Sequence, residues 1–169
     1  EYLASLGVSH VYLSPVLQAA PGSTHGYDVL DHTRISEEAG GRGGFERLVT
    51  ACRTAGLGII VDVVPNHMAL PQPAHLNAPF WSLLREGRRS PYAGWFDVDW
   101  VAEDDRLLMP VLGGTLDQAL EAGELVLAAD GGPTASDPVL RYYDAEFPVA
   151  PGTEGLPLAE LVDAQAYRL

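Results

Sequence analysis

The chain has 169 residues, of which 47% are hydrophobic, enough for one sizeable core and too many for a disordered chain. Its 23 acidic and 10 basic residues give a formal net charge of −13, which argues against nucleic acid or an anionic membrane as a partner. Since Cys52 is the only cysteine, an internal disulfide and a cysteine-based zinc site are excluded, and a cytoplasmic location is favoured. We find no apolar run of membrane-spanning length and no secretory leader pattern.

The N-terminal third predicts a βαβ unit. The segment "YLASLGV" is typical of the end of a helix that is capped by Gly7. "SHVYLSPV" (Ser9 to Val16) predicts a buried strand because it is rich in β-branched and aromatic residues and ends at Ser-Pro. The next stretch, Gln18 to Gly44, lacks a sustained period and predicts a long loop.

A helix and a second strand complete this unit. Phe45, Leu48, Val49 and Cys52 share one helical face, and Gly56 ends the helix. The run "LGIIVDVV" that follows is apolar nearly throughout, as in a parallel strand that is covered on both sides.

The composition changes near position 70, which we take as a domain boundary. We expect residues 1–68 to form the first domain, and residues 69–155 to form a small mixed subdomain of short strands with a helix in "NAPFWSLLREG". Residues 156–169 predict a helix that returns to the first domain. Both ends of the chain look cut, so we expect a piece of a longer protein.

Polar and aromatic side chains follow the ends of both predicted strands. Ligands of parallel α/β folds bind at the C-terminal ends of strands, so these side chains are expected to converge on one rim. A tyrosine there suits stacking on a sugar face, while histidine and aspartate suit its hydroxyls. The candidate substrate-binding residues are His25, Tyr27, Asp28, Asp62, Asn66 and His67.

Other interpretations of these residues remain open. Asp62 could cap a loop, His67 could be a hydrogen-bonded structural residue, and an Asp/Asn/His cluster could bind a metal. Trp81, Trp95 and Trp100 could line a carbohydrate groove or fill the core of the subdomain.

Several segments together resemble a known enzyme family. "VYLSPV", "HGYDV" and "GIIVDVVPNHM" resemble, in order and spacing, the first half of the α-amylase-type glycoside hydrolases. "VLGGTLDQALEAGEL", "RYYDAEFPVAPGT" and "LVDAQAYRL" resemble its trehalose-forming branch, the maltooligosyltrehalose synthases. The resemblance spans nearly the whole chain, although Ala145 and Glu146 stand where we would expect a His-Arg-like pair.

The resemblance implies part of a (β/α)₈ barrel around its second and third strands, with an insertion after the third. It implies intramolecular transglucosylation of a maltooligosaccharide, from an α-1,4 to an α,α-1,1 linkage, without a cofactor or a metal. Asp62 and His67 would position the sugar, Tyr27 would stack on it, and His25 and Asp28 would support the same subsite. Asn66 occupies a position that ligates calcium in many amylases, but we do not carry calcium over.

The resemblance also places the catalytic carboxylates on later barrel strands, outside this chain. We therefore expect the 169-residue chain to be inactive alone, because a barrel of about 250 residues cannot close within it. Two alternatives remain: a hydrolytic α-amylase or glucanotransferase, and a noncatalytic carbohydrate-binding domain.

Overall fold

The computed structural model describes residues 2–102 and 104–169. The chain divides into two compact units, Glu1–Ala69 and Leu70–Leu169. No helix in the described part of the chain is both long and apolar enough to cross a membrane.

The first unit is built on two parallel strands. Its elements are α1 (Tyr2–Ser5), β1 (His10–Leu13), β2 (Leu17–Ala19), β3 (Val29–Ile35), α2 (Gly41–Thr54) and β4 (Gly58–Val61). β1 pairs in parallel with β4, and α2 packs against β3 and β4. The predicted strand–helix–strand order is therefore confirmed, and Cys52 on the predicted face of α2 is buried.

The two faces of the β1–β4 pair differ in exposure. Val11 and Leu13 are half-buried, whereas Tyr12 and its register partner Ile60 are 64% and 48% exposed. The prediction that the second strand is covered on both sides is thus wrong for this chain. One face of the pair is open.

The predicted loop over residues 18–44 contains a second pair of strands. β2 and β3 are antiparallel, with irregular register at Leu17/Gln18 and Gln18/Ala19. Val29 and Leu30 are both buried although they are consecutive, so the alternation that marks a half-buried strand is absent from the sequence. The loop prediction was therefore wrong for these residues.

The second unit contains α3 (Ala78–Glu86), β5 (Leu107–Leu108), α4 (Leu116–Glu121), β6 (Leu125–Gly131), β7 (Asp137–Tyr142), β8 (Ala145–Pro148), α5 (Leu158–Asp163) and β9 (Tyr167–Arg168). Short 3₁₀ helices lie at Ala74–Leu76, Gly87–Arg89 and Ala93–Trp95. The helix and short strands predicted here are confirmed: β6, β7 and β8 form one antiparallel sheet, and α3 packs against β8.

A hydrophobic core holds this unit together. Leu84, Leu140, Phe147 and Leu161 are almost fully buried in it. The hydroxyl of Tyr167, also buried, donates to the Pro148 carbonyl at 2.9 Å. The buried phenol of Tyr167 is thus hydrogen-bonded within the same unit, as buried polar groups usually are.

The predicted helix over residues 156–169 is shorter than expected. α5 ends at Asp163, and β9 then pairs in parallel with β5, Tyr167 opposite Leu107. The buried Gln165 side chain donates to the Leu161 carbonyl at 2.6 Å and accepts from the Ala150 amide at 2.7 Å, so it ends the helix. Leu161 packs in the core of the second unit, and a return of the chain to the barrel stays a prediction.

Candidate functional site

Asp62 follows β4 directly and continues its pairing with β1. Its backbone N–H donates to the Leu13 carbonyl at 3.0 Å. Side chains of a strand alternate between faces, so Asp62 falls on the same side as Ile60 and its partner Tyr12. This is the open face of the pair.

Two tyrosine hydroxyls donate to one oxygen of Asp62. The distances to Oδ2 are 2.6 Å from Tyr27 and 2.8 Å from Tyr12. These bonds, Tyr27 first and Tyr12 next, lower the pKa of the Asp62 carboxyl against the opposing effect of desolvation. The same bonds raise the pKa of both tyrosines. We call Tyr12, Tyr27 and Asp62 the tyrosine–aspartate cluster; it presents an ionised carboxylate between two neutral phenols.

The loop before Tyr27 depends on a glycine. Gly26 has a φ of 79°, and a Cβ at this position would clash with the Pro15 carbonyl oxygen. Any larger residue would therefore move the loop. Tyr27 is 44% exposed, so its ring remains accessible to a ligand.

His25 packs beside Tyr27. The Tyr27 backbone N–H donates to His25 Nδ1 at 3.0 Å, and the two rings lie roughly parallel with centroids 6.0 Å apart. Because Nδ1 accepts this bond, a neutral His25 carries its proton on Nε2. Nε2 is then a donor suited to a sugar hydroxyl.

Asp28 holds the loop together. Its carboxylate accepts a short hydrogen bond from the Ser23 hydroxyl, and its carbonyl accepts from the Ala20 amide at 3.0 Å. The His25 Nδ1 atom is 3.7 Å from the same carboxylate oxygen. Asp28 therefore supports the loop that carries Tyr27.

Asn66 and His67 lie beyond Pro65 and are exposed. Within the described residues, their side chains make no hydrogen bond with the tyrosine–aspartate cluster. His32, which was not among the predicted site residues, contacts the chain just before Asn66 instead. Its Nε2 pairs with the Val64 carbonyl at 2.8 Å.

Tyr12 is the cluster member that sequence reasoning missed. The sequence placed it in a strand taken to be buried, where an aromatic residue usually packs in a core. The alternation of side chains along each strand could have identified it. Tyr12 pairs with Ile60, and Asp62 lies two residues after Ile60, so Tyr12 and Asp62 fall on one face once the register of the parallel pair is known.

The three tryptophans of the second unit have different roles. Trp81 is buried in the core, Trp100 packs against it, and Trp95 is exposed beside Tyr92. Glu146, at the unexpected position in "RYYDAEFP", accepts from the Arg141 guanidinium at 2.9 Å. No group of three or more metal-ligating side chains suited to a metal ion lies in the described ranges.

Comparison with known proteins gives the family. Residues 1–103 match the family model "Alpha amylase, catalytic domain", which is more than half of the chain. The chain belongs to the α-amylase family. The match covers the tyrosine–aspartate cluster and the other predicted site residues.

Similarity to individual proteins extends beyond that match. A putative maltooligosyl trehalose synthase of Mycobacterium tuberculosis is 46% identical over 169 residues, which are 100% of this chain and 20% of the relative. The structure of maltooligosyltrehalose synthase from Arthrobacter ramosus has a TM-score of 0.86 and 40% identity, covering 99% of this chain and 21% of that one. A maltogenic α-amylase of Bacillus acidopullulyticus is 30% identical over 98 residues, 58% of this chain and 16% of that protein.

The predicted resemblance is thereby confirmed, and so is the predicted fold class. The chain is an α/β part of an α-amylase catalytic domain whose two parallel strands are consistent with a partial barrel. It spans about a fifth of the length of the synthases it matches.

Proposed function

We propose that this chain is part of an enzyme that converts maltooligosaccharides to maltooligosyl trehalose, an intramolecular glucosyl transfer from an α-1,4 to an α,α-1,1 linkage. The observation that carries the proposal is the extent of similarity. The α-amylase match ends at residue 103, whereas the similarity to the synthases continues through the whole second unit.

The first unit supplies groups that suit glucose. A pyranose ring has an apolar C–H face, which fits the exposed Tyr27 ring, and hydroxyl groups, which fit the ionised Asp62 carboxylate and the Nε2 of His25. In the proposal Asn66 and His67, exposed after β4, contact further hydroxyls of the same glucose unit, and Asp28 supports the loop.

The covalent chemistry requires carboxylates from elsewhere in the whole protein. In a retaining mechanism a nucleophilic carboxylate displaces the terminal glucose and an acid/base carboxyl protonates it as the leaving group. The released glucose then turns, and its anomeric hydroxyl attacks the enzyme-bound glycosyl group while the acid/base group takes its proton. Residues 1–68 would belong to the closed (β/α)₈ barrel, 69–155 would wall the cleft, and 156–169 would lead back to the barrel.

A second candidate function is hydrolysis or glucan transfer of the ordinary amylase type. It is favoured by the family match to residues 1–103 and by the similarity to a maltogenic α-amylase. In that case water or another saccharide, in place of the released glucose, would take the glycosyl group. A third possibility concerns the 169-residue chain alone, which could bind carbohydrate without catalysing a reaction.

Product analysis of the full-length protein separates these candidates. We expect maltohexaose to lose its reducing end while its mass stays constant, because an α,α-1,1 linkage joins two anomeric carbons. Proton NMR of the anomeric region and a reducing-sugar assay measure both changes, and D62N provides a variant with the cluster charge removed.

Accumulation of maltose or glucose with new reducing ends would contradict the synthase proposal and support the second candidate. The isolated 169-residue chain should yield no product in the same assay.

A cytoplasmic location and a role in trehalose biosynthesis belong to the same proposal, and cell fractionation with an antibody to the protein would test the location.

A further inference from the structure

We propose that Tyr12 is a positioning residue for the saccharide site: its hydroxyl holds the Asp62 carboxylate in the orientation in which that group meets the sugar. This inference rests on the proposed function for its substrate. It adds a role for a side chain that belongs to no predicted set of site residues.

The geometry supports action through Asp62. The Tyr12 hydroxyl is 2.8 Å from Asp62 Oδ2, and the Tyr27 hydroxyl is 2.6 Å from the same atom. Two donors on one oxygen fix the rotation of a carboxylate that a single donor would leave free to turn. Neither tyrosine hydroxyl bonds Oδ1, which is an acceptor suited to a sugar hydroxyl.

The position of Tyr12 on a strand makes it the firmer of the two anchors. Tyr12 lies in β1, whose pairing with β4 continues to Asp62 through the Leu13 carbonyl. Tyr27 lies in a loop. A donor on a paired strand fixes a partner group more tightly than one on a loop, because its backbone has fewer accessible conformations.

Nothing charged competes with this arrangement among the described residues. The groups that face Asp62 are Tyr12 from β1 and Tyr27 from the loop before β3, together with the backbone amide of Val63. The structure records no ion pair for Asp62 within the described ranges. The two tyrosine hydroxyls are therefore the main groups that fix the orientation of the Asp62 carboxylate.

The chain offers a matched control in its other unit. Tyr143 is 64% exposed, as Tyr12 is, and its hydroxyl donates to Glu124 Oε1 at 2.8 Å. Y12F and Y143F thus remove the same atom and the same kind of hydrogen bond. Of the two tyrosines, only Tyr12 donates to Asp62 and so belongs to the tyrosine–aspartate cluster.

The test is a double-mutant cycle on the full-length protein with maltohexaose. We expect Y12F to lower kcat/KM about tenfold, and Y143F to leave it within about twofold. In the D62N background, Y12F should cost less than about twofold, because its effect passes through the Asp62 carboxylate. If D62N turns over too slowly, the Kd for maltohexaose is compared in the same four proteins.

Each outcome decides the inference. The inference would be overturned if Y12F lowered kcat/KM equally in both backgrounds or did not lower it at all. It would also be overturned if Y143F lowered kcat/KM as much as Y12F does, or if Y12F lost its folded state. If the unmodified protein hydrolyses maltohexaose instead, the proposed synthase function fails. The same cycle on the hydrolytic rate then still tests Tyr12.

Discussion

The sheet of the second unit buries Leu140 and Phe147 almost completely, whereas the parallel strands of the first unit leave Tyr12 and Ile60 largely exposed. The second unit closes its own hydrophobic core, which includes α3, β7, β8 and α5. The first unit presents an open sheet face, and its polar cluster lies on that face. The difference indicates that the second unit buries its apolar side chains in a core of its own, while the first unit leaves polar and aromatic side chains accessible on a sheet face.

Truncation in the core of the second unit should have the largest effect. Phe147 is 1% exposed, so Phe147→Ala should lower the free energy of unfolding by about 3–5 kcal/mol. Urea titration followed by tryptophan fluorescence measures this, because Trp81, Trp95 and Trp100 all lie in the second unit.

Val126→Ala is the matched control, since Val126 is exposed on the same sheet. It should cost less than about 1 kcal/mol. Equal losses from the two variants would show that the second unit has no well-packed core and would remove the contrast between the units.

The loop that carries Tyr27 tests the first unit. Gly26→Ala should cost at least about 2 kcal/mol, because it combines a left-handed backbone with a close contact to Pro15. Gly22 has a similar φ of 77° but open space around its Cβ position, so Gly22→Ala should cost only about 1 kcal/mol. Urea unfolding followed by far-ultraviolet circular dichroism compares them, and equal costs would contradict the described packing of Gly26.

Helix caps give the smallest expected effect. Thr115 and Gln118 form a reciprocal capping box at the start of α4, whereas Gly40 at the start of α2 offers no side-chain cap. Thr115→Ala should therefore destabilise the second unit by about 1 kcal/mol. Thr50→Ala inside α2 should be neutral or slightly stabilising, because alanine is the better helix former there. Thermal unfolding of both variants checks this, and a loss from Thr50→Ala as large as that from Thr115→Ala would count against it.

The sequence predicted those parts of the fold that depend on local periodicity. The helical face with Cys52 and the parallel strands before Ser14 and Asp62 follow from spacing and from β-branched composition. The β2–β3 pair could not be predicted in this way, because its consecutive buried residues, Val29 and Leu30, break the alternation of buried and exposed side chains that marks a strand. The length of α5 could not be predicted either, since it depends on where the Gln165 side chain folds back.

The candidate site was predictable only in part, for a related reason. The positions of Tyr27 and Asp62 after the ends of the two strands predicted that their side chains would lie close together. The hydrogen bond from the Tyr27 hydroxyl to the Asp62 carboxylate confirms this. The role of Tyr12 depends on the register between two strands far apart in the chain, which no local pattern encodes. Asn66 and His67 make no contact with the cluster within the described residues, so their substrate-binding role stays a prediction.

The central claim is that the tyrosine–aspartate cluster belongs to a saccharide site. The most direct measurement is kcat/KM of the full-length protein for maltohexaose, compared between Tyr27→Ala and Tyr143→Ala. The account predicts a loss of about tenfold or more for Tyr27→Ala, because both the ring face and the hydrogen bond to Asp62 are removed, and a change within about twofold for Tyr143→Ala. Activity within about twofold of the unmodified protein in Tyr27→Ala, or equal losses in both variants, would contradict it.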